Sequence, residues 1–260
     1  MKNMNERIEN ICLSPDEQLE RINEKLVLIQ RKNGLKFGTD AYLLAAFTKK
    51  ASGPAADLGS GTGVASLLCL SKERFEKMYA VELQPEYAGI IERNSELNGF
   101  NGRLITIPSD VRELRNSDIG GECSAVITNP PYMKADGGFH NISDEKNIAR
   151  REMHGRISDF CMAASRILKW GGAFYAVYRP DRLCELLFSM RESGIEPKRM
   201  ITVYPDTDSR PCLILCEGKK GASEGMVHSR PLIIYKDGSR SYTNDMQTVY
   251  DDFTLEHLFQ

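Results

Sequence analysis

The chain has 260 residues, 41% hydrophobic and 27% charged, with a formal net charge of −2. That is the ordinary composition of a soluble globular protein, long enough for one α/β domain and a small addition. It excludes a global basic field, so any nucleic-acid contact has to come from a local patch. The seven cysteines are Cys12, Cys69, Cys123, Cys161, Cys184, Cys212 and Cys216. They are scattered without a Cys-x-x-Cys pair and read as reduced, small core residues of a cytoplasmic protein. No run has the apolar length of a signal peptide or a membrane span, and the four histidines show no metal spacing.

Residues 1–20 are polar and carry no clear element. Leu26–Gln30 predicts a strand and Asn33-Gly34 a turn after it. Thr39-Asp40 then reads as the cap of a helix over Ala41–Phe47. From Ala55 the pattern alternates. Strands are predicted near 55–58, 78–83, 103–107, 123–128 and 172–178, with helices at 63–71, 85–98, 156–169 and 181–193. Gly99, after Asn98, suits the left-handed position past a helix end. Met200–Tyr204 and Cys212–Cys216 predict two strands joined by a short polar loop, a hairpin rather than a crossover unit. Leu232–Tyr235 and a turn at Asp237-Gly238 follow. These elements imply a mostly parallel α/β sheet with helices on both faces and an antiparallel C-terminal hairpin. Three regions are expected: an N-terminal extension over 1–50, the core over 51–218 and a small appendix over 219–260.

Ligands of such sheets bind beyond the carboxyl ends of the strands, so the residues just after each strand carry the information. The first core strand runs into Asp57-Leu58-Gly59-Ser60-Gly61-Thr62-Gly63. Alternate glycines allow a sharp turn and close approach of backbone to a ligand. The second ends in Glu82, about twenty residues past the glycines, where an acid suits two ribose hydroxyls. The third ends in Ser109-Asp110-Val111, whose carboxylate suits an adenine amino group. The fourth ends in Thr128-Asn129-Pro130-Pro131-Tyr132. Two prolines remove two backbone donors and fix two φ angles, so this segment is a rigid wall that continues neither ladder nor helix.

Together Asp57–Gly63, Glu82, Asp110 and Asn129-Pro130-Pro131-Tyr132 resemble the motif set of AdoMet-dependent methyltransferases with a Rossmann-like, seven-stranded sheet. The Asn-Pro-Pro-Tyr form is similar to that of enzymes that methylate a planar amino nitrogen. Phe37–Phe47 resembles the pre-core segment of the bacterial tRNA1(Val) adenine-37 N6-methyltransferases, which act on the adenine 3′ of the anticodon. Ala149-Arg150-Arg151-Glu152 is similar to an Ala-Arg-His-Glu element of that family. Arginine stands here in place of the histidine, so any role of that ring does not carry over.

The resemblance implies S-adenosyl-L-methionine (AdoMet) as cofactor, held by Thr39, Asp40, Asp57, Gly59, Gly61, Gly63, Glu82, Asp110, Val111 and Asn129. Within that set, Asp57 faces the methionine ammonium and the Thr39-Asp40 segment closes over the cofactor. Asn129, Pro130, Pro131 and Tyr132 are the implied catalytic residues. An aromatic amine attacks a sulfonium methyl only as its nitrogen pyramidalises. The Asn129 side-chain oxygen and the Pro130 carbonyl can each accept one amino hydrogen and favour the charge that develops. Tyr132 can stack on the base. No metal is needed for this chemistry. The basic residues Lys146, Arg150, Arg151 and Arg156 predict a phosphate-binding patch for tRNA beside the pocket, with Gly137–Asn147 as a lid loop. Lys219, Lys220, Arg230, Lys236 and Arg240 would extend the patch. Methylation of a glutamine amide in release factors, of guanine N2 in rRNA, or AdoMet binding without turnover remain open on the sequence. The first of these goes with a helical domain ahead of the core, whereas about fifty residues precede the first core strand here.

Overall fold

Alternation of strand and helix signals becomes one central sheet in the computed structural model, which describes residues 4–9, 11–33, 38–130 and 155–260. Helix α1 (Met4–Glu9) precedes a hairpin of β1 (Glu17–Arg21) and β2 (Val27–Arg31). Next come α2 (Thr39–Phe47), β3 (Ala55–Leu58), α3 (Val64–Ser71), β4 (Met78–Glu82), α4 (Pro85–Asn98) and β5 (Leu104–Pro108). The chain continues through β6 (Cys123–Thr128), α5 (Ile157–Ile167), β7 (Leu168–Tyr178), α6 (Leu183–Glu192), β8 (Ile195–Tyr204) and β9 (Leu213–Lys220). Two short strands, β10 (Val227–His228) and β11 (Leu232–Ile233), and helix α7 (Asn244–Asp252) complete the described strands and α-helices.

The sheet order is β10-β8-β9-β7-β6-β3-β4-β5, with β11 also on β8. Strands β3 to β8 run parallel, and β9 inserts antiparallel between β7 and β8. This is the mostly parallel seven-strand sheet with a C-terminal hairpin that the sequence predicts, and β10 and β11 extend it to nine strands. Successive strand residues serve opposite faces. Ala55, Ala125, Ile127, Tyr175 and Val177 join the core beneath α2 and α3. Ala56, Val126, Phe174 and Ala176 join the core beneath α5 and α6. Burial on both faces explains the near-continuous apolar runs in these strands.

Helix α2 is buried along its whole length from Ala41 to Phe47. A helix apolar all round must be covered all round. Here the C-terminal segment supplies the cover: Met246, Val249, Phe253, Leu255 and Leu258 belong to the same core cluster. The Tyr42 ring packs edge-on to Phe253 with centroids 5.2 Å apart, and Phe47 stacks with Phe259 at 6.4 Å.

The structure departs from the sequence reading at several places. The polar N-terminus forms α1 and β1, and β1 pairs antiparallel with β2 from Glu17↔Arg31 to Arg21↔Val27. Strand β8 begins at Ile195 rather than Met200. Pro197 lacks a ladder donor, and a register shift between Pro197 and Arg199 absorbs it. The α2 cap is Gly38, with no side-chain cap bond, so Thr39 and Asp40 form the first turn itself. Cys12 and Cys184 are exposed, whereas Cys69, Cys123, Cys161 and Cys216 are buried, and all seven cysteines are free thiols.

Candidate active site

Parallel register aligns the strand ends. Leu58 lies level with Val81 and with Thr128, and Glu82 with Pro108. The residues that follow therefore meet along one edge of the sheet. They enclose a cavity of about 460 Å³ whose wall includes Asp40, Asp57, Gly59, Gly61, Glu82, Asp110, Val111, Asn129 and Pro130. Two expected cofactor residues, Thr39 and Gly63, are not in that wall. Gly63 instead opens α3 at φ 80°, where an added Cβ would lie 3.3 Å from Ile91, so its smallness serves helix packing. Pro131, Tyr132, Lys146, Arg150, Arg151 and the 137–147 loop lie outside the described residues.

The glycine loop is held by backbone bonds. Gly59 and Ser60 donate to Val81 O at 2.9 and 3.1 Å, and Gly63 donates to Ser60 O at 2.9 Å. At Gly59 (φ 72°) an added Cβ would come within 3.2 Å of the Phe160 ring on α5, so both conformation and space demand glycine there. Asp57 is buried at 2% exposure and accepts from Ser66 Oγ at 2.8 Å. Burial pushes its carboxyl up to about 6, against the Ser66 hydrogen bond, with the nearby Glu82 charge adding to the rise.

Glu82 is also buried, and both its oxygens are engaged: Gly61 N donates to one and Gln84 N to the other, each at 2.9 Å. The acid therefore ties the glycine loop to the β4–α4 turn while lining the cavity. Asp110 differs from the sequence reading in having a cation on it. The Arg112 backbone N–H and guanidinium Nε both donate to its Oδ1 at 2.9 Å, and that guanidinium holds the Asp110 carboxyl below the usual range. Leu83, 39% exposed at the end of β4, and Val111 give the same cavity two apolar walls.

Asn129 follows β6. Its Nδ2 donates to Asp40 Oδ2 at 3.0 Å. Its Oδ1 is buried and has no hydrogen-bond partner among the described residues. A buried, unmatched acceptor in a cavity wall is a costly feature unless a ligand donor completes it.

Reading the sequence alone missed Phe160, Gln84, Tyr87 and Leu83 in the cavity wall. The positions of Leu83 and Gln84 directly after Glu82 are a usable signal, whereas nothing local marks Phe160. Arg156 is exposed at the start of α5, one turn before Phe160. Lys219 and Lys220 do not extend a basic patch toward the cavity. They end the antiparallel β9 beside Ile195 and Glu196, at the opposite edge of the sheet. Arg230 is paired with Asp245, while Lys236 and Arg240 are on the exposed turn beyond the carboxyl end of β8. Among the described residues no group of three or more His, Cys, Asp and Glu could hold a metal, and no helix is long and apolar enough to cross a membrane.

These residues fit AdoMet. A glycine cradle, a buried carboxylate behind it, an acid at the second strand end and two apolar walls match a sulfonium amino acid joined to a nucleoside. With the sheet order, they define a class I AdoMet-dependent methyltransferase. More particularly, residues 31–190 match the Methyltransferase small domain, and the chain belongs to that family.

The chain is 26% identical over 212 residues to a tRNA1(Val) (adenine(37)-N6)-methyltransferase of Dyadobacter fermentans, covering 80% of this chain and 86% of the relative. It is 21% identical to a protein of the same name from Flavobacteriaceae bacterium strain 3519-10, covering 88% and 96%. Among solved structures, a predicted O-methyltransferase from Agrobacterium tumefaciens shares the fold with a TM-score of 0.67 at 23% identity, over 83% of this chain and 97% of that one. TYW2 of M. jannaschii, solved in complex with AdoMet, has a TM-score of 0.54 at 14% identity, over 80% and 88%.

Proposed function

We propose that this chain methylates the exocyclic N6 of adenine 37, 3′ of the anticodon, in tRNA1(Val). The observation that carries the chemistry is Asn129 Oδ1, a buried acceptor without a partner among the described residues, at the wall of the cofactor cavity. The named relatives, aligned over most of their length, support the substrate.

AdoMet, when bound, supplies an electrophilic methyl on a sulfonium sulfur. Asn129 Oδ1 and the Pro130 carbonyl accept the two amino hydrogens of the base and so orient its nitrogen lone pair. Both acceptors gain as positive charge builds on that nitrogen, which lowers the barrier relative to the ground state. No base is required before attack, because the proton leaves after the charge has formed. Pro131 and Tyr132 belong to the same motif, and the Tyr132 ring would stack on the base. Asp57 takes the methionine ammonium, Glu82 the ribose hydroxyls, and Asp110 with Val111 the adenine of the cofactor. Lys146, Arg150, Arg151 and Arg156 hold RNA phosphates, and a single-stranded anticodon loop presents its base with little unpairing. The region boundaries at 50 and 218 belong to the same reading, with 1–50 carrying Asp40 to the site.

The test offers purified protein and labelled AdoMet with unmodified bulk tRNA, total rRNA and release factor separately, and identifies the product by mass spectrometry. N6-methyladenosine from tRNA alone is the expected result. Label on release-factor glutamine or on rRNA guanine would overturn the substrate assignment while leaving the methyltransferase class intact.

A further inference from the structure

The two ends of the Asn129 amide are not interchangeable. If Oδ1 faces the substrate amine, acceptor meets donor. If the amide is turned by 180°, Nδ2 meets the amine's own hydrogens and the site opposes its substrate. The two states have the same shape, and only the hydrogen-bond network separates them. In this fold the separation is made by Asp40. A carboxylate has acceptors only, so it takes Asn129 Nδ2, at 3.0 Å, and leaves Oδ1 without a partner among the described residues.

Asp40 is itself held. Its second oxygen, Oδ1, accepts from the Ala41 N–H at 2.9 Å in the first turn of α2, where exposed helix amides favour negative charge. From Ala41 onward α2 is buried between the sheet and the C-terminal segment. Side chains that aim a reacting group do so best from rigid elements. Gly38 leaves room for this arrangement, since a Cβ there would come within 2.5 Å of Asp40 Oδ1.

We propose that Asp40 is a positioning residue that sets the flip state of the Asn129 amide, so that Oδ1 is presented to the amine being methylated. The proposal rests on the functional reading above for its kinetics, but not for the hydrogen bond itself. It differs from a cofactor-closing role, because it acts through Asn129 rather than through AdoMet.

The bond is read first, in the absence of any RNA. In ¹⁵N-labelled protein the Asn129 side-chain NH2 pair is assigned by its loss in Asn129→Ala. It is expected to be exchange-protected in the native chain and to lose protection in Asp40→Ala. An unchanged pair in Asp40→Ala would overturn the proposal whatever the substrate proves to be.

Kinetics come second. Asp40→Ala is expected to lower kcat by roughly tenfold to a hundredfold, the scale of a misplaced catalytic group, with the AdoMet Kd unchanged. Asp40→Asn should not recover the rate, because its amide can offer Asn129 either a donor or an acceptor and no longer fixes the flip. A rise in AdoMet Kd that accounts for the lost rate would make Asp40 a cofactor contact and overturn the proposal.

A charge test separates positioning from structure. Asn129→Asp places two carboxylates together, so its activity should need acid, where one is protonated and donates to the other. In the double variant Asp40→Asn, Asn129→Asp the new amide donates instead, and activity should return at neutral pH. The other titratable groups of the cavity wall, Asp57, Glu82, Asp110 and Tyr87, are common to every variant. Identical pH profiles for single and double variants would overturn the proposal. Native protein that methylates no adenine, together with a protected Asn129 amide, would refute the functional reading and leave the amide lock standing.

Discussion

Asn94 of α4 hydrogen-bonds both backbone groups of Ile29 in β2. Its Oδ1 accepts from Ile29 N at 2.7 Å, and its Nδ2 donates to Ile29 O at 3.1 Å. Asn98 repeats the pattern on Val27, at 3.0 and 2.7 Å. Four residues of helix rise about 6 Å and two residues of strand about 6.6 Å, so the two amides fall in step with the strand. Asn94 Nδ2 also donates to Thr62 O at 2.9 Å, which joins the hairpin to the glycine loop.

Replacing Asn94 by alanine should therefore act at two levels. Two backbone carbonyls and one N–H lose a buried partner, a cost of about 3 kcal/mol or more when each unmatched group costs roughly 1–3. Urea unfolding would measure it. AdoMet binding should also weaken in Asn94→Ala but not in Asn98→Ala, because only Asn94 holds Thr62.

Cofactor binding should be acid-sensitive through Asp57. Its carboxyl sits at about 6 in the folded chain against a reference of 3.8. Between these values the folded chain keeps a proton that the unfolded chain has released. This group alone therefore favours folding at low pH and loses that contribution as pH rises through the window. An ammonium partner requires the ionised form, so AdoMet affinity should fall as pH drops below about 6, by up to about tenfold per unit. Calorimetric titration across pH 5 to 8 would show it, and Asp57→Asn should flatten the profile.

Asn129→Ala should abolish methyl transfer while leaving AdoMet binding largely intact. Removing one preorganised partner of developing charge costs about a hundredfold to a thousandfold in kcat. Equal loss of binding and rate would assign Asn129 a structural role instead.

Arg199 should be a stability residue. Its guanidinium donates to Glu217, whose side chain is 3% exposed, and to Glu256, and lies 3.8 Å from the centre of the Phe259 ring. Arg199→Met leaves Glu217 buried and unpaired, a loss of about 3 kcal/mol or more. Adding Glu217→Met should restore much of it, because an apolar pair replaces a stranded charge. Thermal unfolding of the single and double variants is the check.

What the residues disclosed by themselves follows from where each signal is stored. Strand ends with Asp57, Glu82, Asp110 and Asn129 are local, since each motif lies beside the apolar run that positions it. The glycine pattern was local as well, yet Gly63 proved to serve the contact with Ile91 rather than the cavity, a distinction that only packing makes. Phe160 against Gly59, Asn94 against Ile29 and Asp40 against Asn129 join residues 65 or more positions apart, and no periodicity reports them. Lys219 and Lys220 looked basic and available, but an antiparallel strand carries its end to the far side of the sheet. Pro197 concealed half of β8, because a proline argues against a strand until a register shift accommodates it.

The outer flank of the sheet has one more consequence. Strand β8 is ten residues long and would leave a row of free amides and carbonyls on its outer side, an invitation for another chain to add itself. β10 and β11 fill that row in two short pieces, at Arg199–Met200 and at Val203–Tyr204. Neither piece is long enough to recruit a neighbour of its own. Removing the C-terminal stretch would bare both this edge and the α2 face that Met246, Val249 and Phe253 cover, so chains cut before Val227 should precipitate on expression even where every cavity residue is intact.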